Sequence, residues 1–279
     1  MGKLDVIRAL ALDYPVLYLN PDVDTMEEYR KAVLRGETPA STSLAHYRGS
    51  SGDVEETEGT PVGDVRVVTL GDRQDFELVI RGLMGAKDGP QTPVPASQGA
   101  AMMTVFNWPR IHAHLAKFPP EEQGAEFKRF TADKKNYQDT LVVLSRGPYS
   151  HVDAAAAGFE EEEWVAYSDT IRRYHELTHV ICRRTYPQDI DALRDELVAD
   201  AVGLAAAFGR YDRRLADLFL GITAGKYTGG RLANYTEKAE EKVAQVSAAM
   251  DRMETIVAET KWKSAFDLIP GLMEVPGLK

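Results

Sequence analysis

Between Glu160 and Arg184, Trp164, Ile171, His175, Thr178 and Cys182 recur at helical steps. That spacing predicts one long helix with these residues on its buried stripe. Glutamates 160 to 163 open the segment and Arg183-Arg184 closes it, charges that suit the two ends of a helix dipole. Tyr186-Pro187 then breaks the pattern. A second helix is predicted through Ile190, Leu193, Leu197, Ala201, Leu204 and Phe208. The short connection predicts an antiparallel pair.

Around this pair the periodicity is weaker. Residues 1–20 read as a short helix and then an apolar stretch, Pro15 to Leu19. Val65 to Leu70 and Thr140 to Ser145 read as strands, Asp75 to Met84 as a helix, and Asp88 to Gly99 as a loop. Asn107-Trp108-Pro109 opens another predicted helix, with the proline in its first turn. A charged helix over 121–137 has Phe127 and Phe130 as its apolar positions. Residues 211–222 continue helical, and 225–231 form a glycine-rich loop. Asn234 with Glu237 forms a capping-box signature for a final helix reaching to about residue 262. Its stripe, Val243, Val246, Met250, Met253 and Val257, either packs on the body of the protein or offers a seam for an oligomer. Residues 38–64 are rich in Ser, Gly, Thr, Glu and Asp. They read as a surface loop or as a lid that orders over substrate.

These elements predict a helix-rich α+β protein. An N-terminal lobe, 1–187, would carry a small sheet and end in the first of the paired helices, and a helical lobe, 188–279, would follow. At 279 residues and 44% hydrophobic the chain can bury a substantial core. A formal charge of −10 argues against nucleic acid or an anionic membrane as partner. The single cysteine, Cys182, excludes an intrachain disulfide framework. No apolar run approaches the ~20 residues of a membrane span, and residues 1–6 hold no export-signal core. A cytoplasmic protein is the expectation.

The paired helices carry the candidate chemistry. Tyr174-His175-Glu176-Leu177-Thr178-His179 contains H-E-x-x-H. Residues four apart on a helix are offset by only about 40°, so His175 and His179 can place two imidazoles on one metal ion. The motif alone should arise by chance in roughly one chain of this length in a hundred, so its helical setting matters. Glu196 and Asp200 share a face of the second helix. Glu196 can supply the third ligand, with Asp195 as its rival, and Asp200 can accept the outer ring N–H of a ligating histidine. Cys182 is a soft ligand or a buried small hydrophobe. His112 and His114, two apart, lie on different helix faces and make poor co-ligands.

His175-Glu176-x-x-His179 followed by Glu196-x-x-x-Asp200 resembles the gluzincin metallopeptidases of the thermolysin and neprilysin type, over about thirty residues. The resemblance implies a zincin-like fold and one Zn2+ held by His175, His179 and Glu196 in a cleft between the lobes. It implies Glu176 as general base and Asp200 as the partner of His175. Sixteen residues separate His179 from Glu196, slightly fewer than is usual in that group. No histidine follows His179 to serve as oxyanion donor. Tyr227, Arg231 and Tyr235 are the downstream candidates for that catalytic role. Leu141 to Ser145 would be a core strand or would pair with an extended substrate, and Tyr149 and His151 could sit at the cleft mouth. The expected function is zinc-dependent hydrolysis of an amide or peptide bond. The alternatives are a zinc enzyme acting on a small non-peptide metabolite (a hydrolase, dehydratase or cyclase) and a non-catalytic zinc protein. Substrate, whether peptide or small molecule, is the expected partner.

Overall fold

A computed structural model describes residues 2–39, 42–88, 93–95, 98–188 and 191–277. The chain is helix-rich with a small mixed sheet, an α+β protein. It divides into two compact units, Met1–Thr57 with Arg66–Ser145 and Glu58–Val65 with Arg146–Lys279. The main division therefore falls after Ser145, not at 187/188 as the sequence predicted, because both predicted metal helices pack within one unit.

In the first unit, α1 (Asp5–Asp13) buries Val6, Ile7, Leu10 and Ala11 on one stripe. The apolar stretch after it is a 3-10 turn, Pro15–Tyr18. A capping box of Thr25 and Glu28 opens the one-turn α2 (Met26–Tyr29). Then come β1 (Val54–Thr60) and β2 (Gly63–Leu70), of which the stretch Glu58–Val65 belongs to the second unit, and α3 (Arg73–Asp88), β3 (Ala100–Phe106), α4 (Trp108–Leu115), α5 (Pro120–Thr131) and β4 (Gln138–Ser145). The sheet order is β1-β2-β4-β3. Strand β4 runs parallel to β2, with Val143 opposite Val68, and antiparallel to β3, with Val142 opposite Met102. Its residues Leu141 to Leu144 are buried on both faces, as an uninterrupted apolar run in a central strand should be. Leu141 and Val143 share a core cluster with Leu10, Leu17, Phe76 and Val79.

Several expectations are corrected here. Residues 38–64 are not a single irregular loop or lid. Val54–Thr60 is a strand, and Leu44 and Tyr47 belong to the core. Glutamates and threonine at strand positions hid that element. Strand β3 follows the predicted 88–99 loop unannounced; part of that loop lies outside the described residues. In α5 it is Glu126 that is buried, while Phe127 is exposed. Both edges of β4 are taken by β2 and β3, so Leu141 to Ser145 cannot pair with a substrate strand. The predicted cap is present, since Asn107 Oδ1 accepts from the Arg110 N–H at 3.0 Å.

The second unit holds α6 (Ala154–Ala157), α7 (Glu161–Thr185), α8 (Ala192–Phe208), α9 (Arg213–Leu220), the two-residue strands β5 (Ile222–Thr223) and β6 (Lys226–Tyr227), α10 (Ala239–Glu259) and α11 (Ile269–Met273). The 225–231 stretch is thus partly a β5–β6 ladder, and a 3-10 turn, Arg231–Asn234, follows it. Asn234 closes that turn and does not cap α10, which begins after Lys238 with no side-chain cap. The stripe Val243, Val246, Met250, Met253 and Val257 is buried within the chain, so it offers no open seam to a second copy.

Helices α7 and α8 approach closely. Asp191 caps α8 by accepting from the Leu193 and Arg194 N–H groups; Ile190, included in the predicted stripe, lies outside the described residues. A Cβ at Gly203 would sit 2.7 Å from the Ile171 carbonyl oxygen, so only glycine allows this spacing. Among the described residues no helix is long and apolar enough to cross a membrane.

Candidate metal centre

The antiparallel register of α7 and α8 sets the site. Ile171 meets Gly203, His175 meets Asp200, and His179 meets Asp195, each step about one helical turn. The two histidines turn their Nε2 atoms towards each other, 3.0 Å apart. Glu196 closes the group, with one carboxylate oxygen 3.5 Å from His175 Nε2 and the other 3.5 Å from His179 Nε2. The three side chains form a buried group that can hold a metal ion.

The dimensions test the fit. A tetrahedral ion with bonds of 2.0–2.1 Å separates neighbouring ligand atoms by about 3.3 Å. The 3.0 Å between the two Nε2 atoms is close to that value, while the two 3.5 Å contacts of Glu196 end on different carboxylate oxygens. With one ligand atom from each residue, all three atoms lie within 4.8 Å of one another. The outer nitrogens are also committed. Asp200 Oδ1 lies 2.9 Å from His175 Nδ1, and Asp195 Oδ2 lies 2.8 Å from His179 Nδ1. A carboxylate accepting at Nδ1 leaves Nε2 as the lone-pair atom, which is the tautomer a metal needs.

The geometry separates Asp195 from Glu196. Glu196 faces the inner nitrogens, and Asp195 takes a part the sequence reading had not given it, orienting His179 from behind. A signal was present: acids at 195 and 200 flank Glu196 in the sequence, and each meets the outer nitrogen of one histidine.

Without an ion these charges interact directly. Burial alone would lower the His175 pKa, but hydrogen bonds to Asp200 and Glu196 outweigh it and raise it to about 10. Burial opposes ionisation of Glu196, yet the His175 hydrogen bond and nearby positive charges bring it down to about 2. Asp200 is likewise buried, and Arg231 with His175 holds it well below the usual carboxylate range.

Arg231 and Tyr235 both reach this centre from the segment after β6. The Arg231 guanidinium donates to Asp200 Oδ2, and at 3.2 Å to the Tyr149 hydroxyl. Tyr235 donates its hydroxyl to Glu196 Oε2 at 2.8 Å. Tyr227 is not brought in: its hydroxyl donates to the Gly230 carbonyl and accepts from the Gly230 N–H. Tyr149 is not at a cleft mouth but 4% exposed behind His175. His151 is exposed.

Glu176 follows His175 on α7, is half-buried, and makes no hydrogen bond or ion pair among the described residues. Cys182 is fully buried with its Sγ 4.0 Å from Met273 Sδ, a small hydrophobe and not a ligand. His112 lies against the Val33 carbonyl oxygen, and His114 stacks on Phe130, so they share no site.

Comparison with known families gives one result. The model of a family described as of unknown function, DUF7005, matches residues 7–263. No curated protein matches the chain, and no solved structure does.

Proposed function

We propose a zinc-dependent amide or peptide hydrolase of gluzincin type for this chain, which belongs to the DUF7005 family of unknown function. The observation that carries the reading is the grouping of His175, His179 and Glu196, one ligand atom of each lying within 4.8 Å of the others, as a single tetrahedral ion needs. Three protein ligands of this kind leave a coordination position for substrate or water, the pattern of a catalytic and not a structural site. When bound there, zinc supplies a Lewis acid and lowers the pKa of water towards neutrality.

The remaining roles fall to this chain's own groups. Glu176 is uncommitted and reaches water, so it takes a proton from the attacking water and returns it to the leaving amine. Burial, with Glu196 and Asp200 nearby, pushes the Tyr235 pKa up and keeps its proton on at neutral pH. That proton is donated to Glu196 Oε2, so Tyr235 serves a developing oxyanion only by releasing Glu196. Arg231 is spent on Asp200 and Tyr149, which makes it a fixed positive charge behind His175.

A zincin-like arrangement, with the ligands carried on two antiparallel helices, is part of this proposal.

The test is a zinc-loaded protein incubated with a mixed peptide library and with a panel of small amides, read by mass spectrometry. Chelator-sensitive cleavage of peptides, lost in Glu176→Gln, is expected. Turnover of small amides alone would shift the substrate class. No turnover of either by fully loaded protein would leave a non-catalytic zinc site.

A further inference from the structure

The loop after β4 is built in an unusual way. Ser150 and His151 have φ of 56° and 57°, and Gly147 has φ of 137°. Two successive non-glycine residues in the left-handed region persist only where their surroundings hold them. Here α7 does the holding. Ser168 Oγ accepts the Tyr149 backbone N–H at 2.9 Å. One turn on, Arg172 donates to the carbonyls of Gly147 and Pro148 at 3.0 and 3.2 Å. Beyond the loop, Trp164 Nε1 donates to the Val152 carbonyl at 2.7 Å. Three anchors from the helix that carries His175 thus fix the loop on both sides of its strained residues.

The group presented by this construction is the Tyr149 hydroxyl. It lies 2.7 Å from Asp200 Oδ1 and 2.8 Å from His175 Nδ1, while those two atoms are 2.9 Å apart. One proton placement satisfies all of them. Tyr149 O–H donates to Asp200, His175 Nδ1–H is shared by the carboxylate and the phenol oxygen, and Arg231 donates to that oxygen. The ring is held edge-on by Phe219, with centroids 4.9 Å apart.

We propose that Tyr149 is a positioning residue of the metal centre, its hydroxyl holding the Asp200 carboxylate against the outer nitrogen of His175 and so aiming Nε2 at the ion. A tyrosine buried only for packing needs one partner for its hydroxyl, and any backbone carbonyl would serve. This hydroxyl instead meets both atoms that decide the orientation and tautomer of a ligand. The strained loop then has a purpose, since a relaxed loop would withdraw the phenol. The inference rests on the metal-binding reading above.

The experiment measures zinc affinity by competition with a chromophoric chelator, the visible spectrum of the Co2+-substituted protein, and the melting temperature without metal. Tyr149→Phe keeps the ring and removes the hydroxyl. Zinc affinity should fall about tenfold, the low end for loss of an outer partner because Arg231 still holds Asp200. The Co2+ bands should shift as well. A packing role would move only the melting temperature. Tyr149→Phe with zinc affinity within about twofold of wild type and unchanged Co2+ bands overturns the inference and leaves the metal reading standing. Wild-type protein that binds neither ion overturns both. Should Tyr149→Phe fail to fold, Ser168→Ala, which loosens the loop but keeps the phenol, decides the matter. Weakened zinc binding supports the inference, and unchanged binding overturns it.

Discussion

Gly203→Ala tests the closeness of α7 and α8 with a single methyl. The added Cβ would lie 2.7 Å from the Ile171 carbonyl oxygen and 3.1 Å from Ile171 Cγ2. Ordinary contact begins at 3.4 Å, so the helices must part by about 0.7 Å along that direction. The backbone carbonyl cannot swing aside as a side chain would. Overpacking of this kind costs about 1–3 kcal/mol, against which alanine gains about 1 kcal/mol of helix propensity over glycine. The net loss, up to about 2 kcal/mol, lowers the melting temperature by a few degrees. The larger consequence lies one and two turns away, where His175 and His179 on α7 must meet Glu196 on α8. A shift of this size draws the Glu196 carboxylate away from both histidines, so zinc affinity should fall by about tenfold or more. Differential scanning fluorimetry without metal and a chelator-competition titration measure the two effects. A variant that melts higher than wild type and binds zinc equally well would show that the helices do not touch at Gly203, and the register argument would fall with that contact.

Glu176→Gln should keep zinc and stability while turnover falls by at least about 10²-fold; retained turnover in a zinc-loaded variant would rule out Glu176 as base. Glu196→Ala should lose most bound zinc, whereas Asp195→Ala should retain it with affinity weakened by about 10- to 100-fold; metal analysis showing the reverse order would exchange their roles. Because His175 is raised from 6.5 to about 10 in the metal-free protein, it holds a proton at neutral pH, and zinc must displace it. That proton stabilises the metal-free fold fully below pH 6.5, and its contribution is lost as pH rises through about 10, so apparent zinc affinity should climb with pH across that window. Calorimetry at pH 7.5 in two buffers of different ionisation enthalpy should report about one proton released per zinc, and equal heats in both would refute it.

The paired helices were legible because their signals are local. A three-four repeat, charged ends and a proline break delimit α7, and i, i+4 spacing places His175 with His179 and Glu196 with Asp200. What escaped depends on distant partners. Strand β1 reads Val-Glu-Glu-Thr-Glu-Gly-Thr, too acidic to announce a strand, and it exists because β2 lies beside it. Tyr149 looks like a loop residue by its neighbours Pro148 and Ser150, and nothing local says that Ser168 and Arg172 pull it inward. Arg231 and Tyr235 could be named as downstream candidates but not assigned partners, since those partners lie more than thirty positions earlier.

The ligand triad occupies a short stretch of chain, from His175 to Glu196, within one helical hairpin. Closing so short a loop costs little entropy, and contacts this local form early when a chain folds. A nascent hairpin can therefore capture an ion before Tyr149 and Arg231, which arrive from remote segments, are in place. If the protein binds zinc as proposed, metal capture and the correct aiming of His175 would be two separate events in its maturation, the second waiting on the completed fold. Zinc present during refolding would act as a template for the α7–α8 pair, and the same zinc added later would enter a finished site.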